Sequence, residues 1–396
     1  FSAAWRISEE AFWEDLKPIV DNLKIRASWG RLGNNGIGNY DWQNVYSPAN
    51  TSFGDAIQQG VWTTAIANRD ISWEKTDVVD LGLDVNLFGS LSLTFDYYNK
   101  LTHGILYRNP IPYVNGGLGA PMINSAKVRN RGFEFSASYN KNFGDLGFAV
   151  SVNGAYNRNE IIDYKGDYLE INGATVWTEG QPIGKFYMRE IDHIVQDKAE
   201  IDKLVSEGWT FSPSRPEPGD FLYKDLNNDK RIDDKDRVLK GQPLPLFTFG
   251  GSIAFSYKNF DLSALFSGVA GWDRYLSTGI FSLTNADTER LFLKKFQNQW
   301  LETNRNTNIP KLYASNEKNN QVSDYYLYDA SFLRLKTLQL GYTLPKNLIP
   351  KVRIRAYCNL ENYFTITSYP GMDPEMNGDV GYPILKTVSL GVNIKF

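Results

Sequence analysis

The sequence predicts an all-β fold, a transmembrane antiparallel β-barrel with long extracellular loops. Three observations predict it. Apolar and polar residues alternate with period two, connections alternate between short and long, and aromatics are abundant although no apolar run reaches the length of a membrane helix. Of 396 residues, 14% are aromatic, which suits interface girdles and stacking loops better than a cytosolic enzyme. The net charge of −3 is mixed along the chain, and no basic stripe marks a nucleic-acid partner. Cys358 is the only cysteine, so no internal disulfide forms.

Taken in order, Phe1 to Ile7 reads as the end of a strand, and Phe1-Ser2-Ala3-Ala4-Trp5 lacks the charged and apolar parts of a signal peptide. Ser8 to Asp21 reads as a helical turn. Leu23 to Trp29 alternates. So do Val79, Leu81, Leu83, Val85 and Leu87 against Asp80, Gly82, Asp84 and Asn86. Leu91 to Tyr97, Phe133 to Tyr139, Phe148 to Tyr156, Phe247 to Tyr257 and Phe260 to Phe266 continue the series. In Phe332 to Tyr342 the apolar phase flips near Lys336-Thr337, which a β-bulge would explain. Val352 to Glu361 carries Arg353, Arg355 and Glu361 on its polar face, and that face requires water. Val388, Leu390, Val392, Ile394 and Phe396 end the chain on one face. The count is roughly eleven strands.

Short connections fall near Phe88-Gly89-Ser90, Asn140 to Asp145, Lys258-Asn259 and Pro345 to Pro350, and long ones at about 31–72, 102–127, 159–245, 268–330 and 365–384. Outer-membrane barrels place short turns in the periplasm and long loops outside. With the short turns periplasmic, the first and last strands both run toward the periplasm. An odd count cannot close, so the reading expects a C-terminal portion of a larger barrel. The excursion at about 159–245 has room for two further short strands. The rival is a secreted, soluble β-sandwich that binds or cleaves glycans. It leaves the alternating loop lengths unexplained, although its outer face, being solvent, would also accept Arg353 and Glu361.

Several ordered segments resemble the SusC-like branch (SusC/RagA) of TonB-dependent outer-membrane transporters. They include Leu23-Lys24-Ile25-Arg26-Ala27-Ser28-Trp29-Gly30 with Gly33 to Tyr40, and Ser72-Trp73-Glu74-Lys75-Thr76-Asp77 with Leu81-Gly82-Leu83-Asp84. Asp96-Tyr97-Tyr98-Asn99-Lys100, Arg131-Gly132-Phe133-Glu134 and Glu179 to Gly184 follow, then Gly219 to Asn227 and Phe260 to Ser263. The resemblance implies a plugged barrel of about 22 strands, of which this chain is the C-terminal half, with the plug and N-terminal strands outside it. It also implies active import of a glycan or peptide, a SusD-like surface lipoprotein as partner, and energy from TonB through the N-terminal part. Outer-membrane lipid would surround the wall, and no catalytic role is implied.

Candidate sites lie mostly in loops. Asp225, Asn227, Asp229, Asp233 and Asp236 fall at positions 1, 3, 5, 9 and 12 of a twelve-residue loop, the spacing of an EF-hand-like calcium cage, with Arg231 giving its carbonyl at position 7. Lys230 replaces the glycine of position 6, and Asp236 is shorter than the usual glutamate. A solvated acidic turn is the plain alternative. Trp42, Trp62, Trp177 and Trp272 are candidates for cargo or partner contact, with Trp209 and Trp300 beside them, against ordinary loop packing. Trp5, Trp13 and Trp29 suit interface anchors. Arg353, Arg355, Glu361, Asp80 and Asp84 are expected to face a plug. His103 and His193, the only histidines, lack a metal-ligand pattern. Phe396 fits the aromatic terminus by which outer-membrane barrels are recognised on insertion.

Overall fold

The structure, a computed structural model, describes all residues except 109–110, 112–113, 115–117, 165–169, 284–292, 314–317, 346, 350 and 377–380. One sheet of eleven strands carries the wall. Its strands are β1 (Ser2–Arg6), β2 (Val20–Asn34), β3 (Glu74–Leu87), β4 (Leu91–Arg108), β5 (Met122–Phe143) and β6 (Leu146–Tyr164). β7 (Phe247–Tyr257), β8 (Phe260–Ala270), β9 (Phe332–Thr343), β10 (Arg353–Thr367) and β11 (Thr387–Lys395) complete it. Each strand lies beside its predecessor in sequence. All eleven segments read from alternation are strands, although β2 to β6, β8 and β10 extend further than their alternation shows. The 8–21 segment forms two 3-10 turns, Ile7–Glu9 and Ala11–Leu16.

The chain divides into two units. The first holds residues 1–135, 156–170 and 177–183. Within it, β2 and β3 pair from Leu23↔Val85 to Asn34↔Glu74, and Leu83 pairs in turn with Phe95. The row Trp5↔Ile25↔Leu83↔Phe95 is apolar, and all four side chains are exposed. The loop after β2 adds a two-stranded hairpin, Tyr46–Phe53 with Ala56–Thr63.

The second unit holds residues 136–155, 171–176 and 184–396. Its wall shows the same division of faces. Phe255, Leu262, Leu340, Cys358 and Leu390 form one apolar row across five strands. Leu390 is 83% exposed, which water would penalise and lipid would not. The bulge stands where the phase flip puts it. Leu335 pairs with Phe266 and Thr337 with Leu265, leaving Lys336 as the extra residue. Opposite it, the β10 register also shifts, and Asn362 takes a positive φ of 54°.

The excursion departs from the expectation of two short strands. Among its described residues it contains eight, of two to five residues each, and a helix α1, Lys198–Ser206. Four of them, at 191–194, 210–211, 221–223 and 231–232, and α1 share a core with the 271–330 loop, built on Ile194, Ile201, Phe221, Ile232, Phe296, Trp300 and Tyr326, and the other four form a sheet of their own. Strands so short show no countable period, so alternation could not reveal them.

Candidate functional site

The polar face of the wall is built by salt bridges that cross glycines. In the first unit, Arg26, Gly82 and Asp96 stand in one register row. Arg26 donates to both oxygens of Asp84, at 2.9 and 3.0 Å, and reaches Asp96 at 2.9 Å. It passes over Gly82, where a Cβ would collide with both Arg26 and Asp96. The second unit repeats the device. Arg355 pairs with Asp261 over Gly341, and its guanidinium also donates to Gln339 at 2.8 Å. Gly391 likewise accepts the ring of Tyr357. Of the residues expected on this face, Asp84 and Arg355 are in these pairs, Glu361 accepts from Asn359 at 2.8 Å, and Asp80 stands between Ser28 and Tyr98 in register. Arg353 shares the strand face of Arg355. The glycines went unread, though Gly82 between Asp80 and Asp84 was a visible signal.

A second arrangement was also missed. The loop after β10 is clamped by three cations. Arg334 of β9, 1% exposed, lies 2.6 Å from both oxygens of Asp373 and 3.0 Å from Glu375. Lys336, aimed by the bulge, reaches Glu375 at 2.7 Å. Arg274 holds the carbonyls of Pro374 and Met376 and stacks over Trp272 and Tyr369. A buried guanidinium is tolerated only with such partners.

The structure separates the tryptophans. Trp42 and Trp62 are exposed. Trp177 packs against Tyr107 and Tyr164, and Trp272 donates its indole N–H to the Pro243 carbonyl at 3.1 Å. Trp300 is core, 3% exposed, with its indole N–H on Gln196, and Trp209 packs against that core. Trp5 and Trp29 are exposed, and Trp13 donates to the Val20 carbonyl.

The 225–236 loop folds through its own side chains. Asp225 accepts from the amides of Asp229 and Lys230, and Asp229 accepts from Arg231. The buried Asp236 accepts from Leu226 and Asp233. Lys230 takes φ 60°, the left-handed turn that position 6 demands. Among the described residues, no three His, Cys, Asp or Glu side chains converge as a cation cage. Close by, His193 is hydrogen-bonded between Asp192 at 2.8 Å and Glu200 at 2.6 Å. Burial lowers its pKa, but the two carboxylates outweigh burial and raise it above the ordinary value.

Residues 1–362 match the family described as TonB dependent receptor-like, beta-barrel. The chain belongs to this family. It is 33% identical to TonB-dependent receptor P3 of Formosa agariphila, over 99% of this chain and 41% of that protein. It is 28% identical to the TonB-dependent receptor SusC of Bacteroides thetaiotaomicron, over 99% of this chain and 39% of that protein. A solved structure of the RagAB peptide transporter superposes with a TM-score of 0.79 at 28% identity, covering 99% of this chain and 42% of that one. The chain thus spans about two fifths of the relatives it matches. As part of a TonB-dependent receptor barrel, its wall lies in the outer membrane. The barrel fold overturns the soluble-sandwich rival.

Proposed function

We propose that this chain supplies wall and outer loops to an importer that moves an oligosaccharide or peptide across the outer membrane. The observation that carries the reading is the pairing of faces. The same strands present bare apolar rows on one side and salt bridges locked over glycines on the other, as a wall between lipid and a filled, watery lumen requires. Asp80, Asp84, Arg353, Arg355 and Glu361 would face the plug. TonB would act through the N-terminal part of the whole protein, and a SusD-like surface lipoprotein would cover the outer side. Trp42 and Trp62 are presented for cargo or partner. Trp177 and Trp272 are held by neighbours and would offer an edge.

The test is uptake of labelled oligosaccharide and peptide pools by cells carrying the full-length protein. Uptake should stop when the gene is deleted and when TonB is removed. Uptake that survives removal of TonB overturns active import. Calcium in the 225–236 loop belongs to the same reading. The oxygen spacing and the left-handed Lys230 support it, and binding would require Asp225, Asp229 and Asp236 to converge further. Calorimetry of calcium into the purified protein should give heat that Asp225→Asn abolishes, and an absence of heat removes the ion.

A further inference from the structure

The apolar face of the second unit's wall is furrowed along β10. Across β9, β10 and β11 two register rows run Tyr342↔Ala356↔Val392 and Leu340↔Cys358↔Leu390. In both rows the middle strand carries the smallest side chain. The result is an open groove of about 490 Å³, floored by Ala356 and Cys358 and banked by Leu340 and Tyr342 on one side and Leu390 and Val392 on the other. Phe260 packs against Tyr342, with ring centroids 4.7 Å apart, and extends that bank. Neighbouring strands lie about 4.8 Å apart, so the banks stand roughly 10 Å apart before their side chains are counted. That is too narrow for a helix, about 10 Å across, and too deep for a flat sheet face to fill. One hydrocarbon chain fits it.

The groove lies near the short-turn end of the wall. Ala356 and Cys358 are the fourth and sixth residues of β10, counted from that end. At about 3.3 Å per residue they lie roughly 10 and 17 Å along a tilted strand, within the periplasmic half of a ~30 Å hydrocarbon layer. The same end carries a cation. Lys258, in the turn between β7 and β8, holds its ammonium 5.3 Å from the ring centre of Tyr257, and Tyr257 pairs with Phe260. Among the described residues this ammonium has no carboxylate partner.

We propose that the groove holds one acyl chain of a phospholipid from the periplasmic leaflet, with its phosphate at Lys258. This rests on the reading of the apolar rows as lipid-facing. Lipid tails are as apolar as leucine, so burial from water favours no one place on the wall. Contact distinguishes the groove. A chain lying in it touches protein on three sides, and dispersion grows with every contact. Lys258 adds attraction for a phosphate at the interface, a depth that the rings of Tyr257, Phe260 and Tyr342 suit. A second copy of the wall would rest on the banks and leave the floor unfilled.

The experiment passes the full-length protein through nanodiscs of equal parts dipalmitoyl phosphatidylglycerol and dipalmitoyl phosphatidylethanolamine, releases it into detergent and weighs it by native mass spectrometry. One phospholipid should stay bound. Phosphatidylglycerol should predominate, since its head group has no ammonium to compete with Lys258. Ala356→Leu with Cys358→Leu fills the groove without bringing a polar atom into lipid and should abolish retention. Lys258→Gln should remove the preference for phosphatidylglycerol. Heat-modifiable migration on gels shows that each variant folds, and Cys358→Leu alone decides if the double variant does not. Retention that filling leaves unchanged, a preference that Lys258→Gln leaves unchanged, or a dimer that the filled variant dissociates would each overturn the site. A folded, detergent-dependent barrel that retains no phospholipid overturns this site alone. A protein soluble and monomeric without detergent overturns the lipid-facing wall and the site with it.

Discussion

His193 illustrates how one side chain ties a loop together. Its ring ties the 191–194 strand to α1 through Asp192 and Glu200. Burial alone would favour the neutral ring, and the two carboxylates reverse that and hold its pKa above the ordinary value. The sign follows. A raised folded-state pKa contributes stability that is fully present below the unfolded value, about 6.5, and is lost as pH rises through the folded value. His193→Gln should therefore cost the excursion most stability at pH 5.5 and progressively less as the pH rises. The ring is 42% exposed, so the cost should stay below about 1 kcal/mol. Proteolysis of the excursion across that pH range measures it, and a cost that grows with pH would contradict the pairing. Asp192 is His193's neighbour in the sequence, but Glu200 lies seven residues on, in α1, and meets the ring only once strand and helix are placed side by side. Trp300, a loop tryptophan for which ordinary packing was the plain alternative, is packed in the core, and composition alone could not separate it from the exposed Trp42 and Trp62.

The strands were legible because a wall between lipid and water forces alternation on every one of them. The bulge at Lys336 was legible too, since one extra residue reverses the phase and the reversal stands in the sequence. What alternation could not show is that a glycine on the polar face is a seat for its neighbours' charges. Gly82 provides the test. Gly82→Val places a branched side chain where Arg26 and Asp96 meet and should destabilise the barrel by about 1–3 kcal/mol, the usual cost of overpacking. Gly30→Val is the matched control, because a Cβ at Gly30 meets nothing within 4 Å and valine favours a strand. Heat-modifiable migration of the folded barrel on gels separates the two. Equal behaviour of both variants would show that the glycines are kept for strand flexibility and that the salt bridges can find another route. The excursion's strands stayed hidden for the opposite reason. At two to five residues they are held by the Phe221–Trp300–Tyr326 core or by a small four-stranded sheet, and strands so short show no countable period.

At the scale of the whole chain, the two kinds of burial decide between a membrane wall and a soluble sheet without appeal to relatives. In a soluble sandwich the apolar rows of two sheets meet, and the core lies between them. Here both apolar clusters of buried residues are built from the excursion and the long loops, while the wall's apolar rows stay bare. Leu262, Leu340 and, beyond Cys358, Leu390 lie in one row and are 37%, 53% and 83% exposed, against 1% for Arg334 on the opposite side of β9. A monomer in water does not leave such rows uncovered on strand after strand while burying an arginine. Lipid resolves the inversion, since it solvates leucine and demands that the backbone and the charges be satisfied within the protein. The same inversion explains the modest mean hydropathy of −0.39. Only every second wall residue meets lipid, and the loops outside fold by the ordinary rules of water-soluble domains. A site for a water-borne ligand therefore belongs in those loops or on the polar face, where the salt bridges, the clamped Asp373 loop and the His193 bridge all lie.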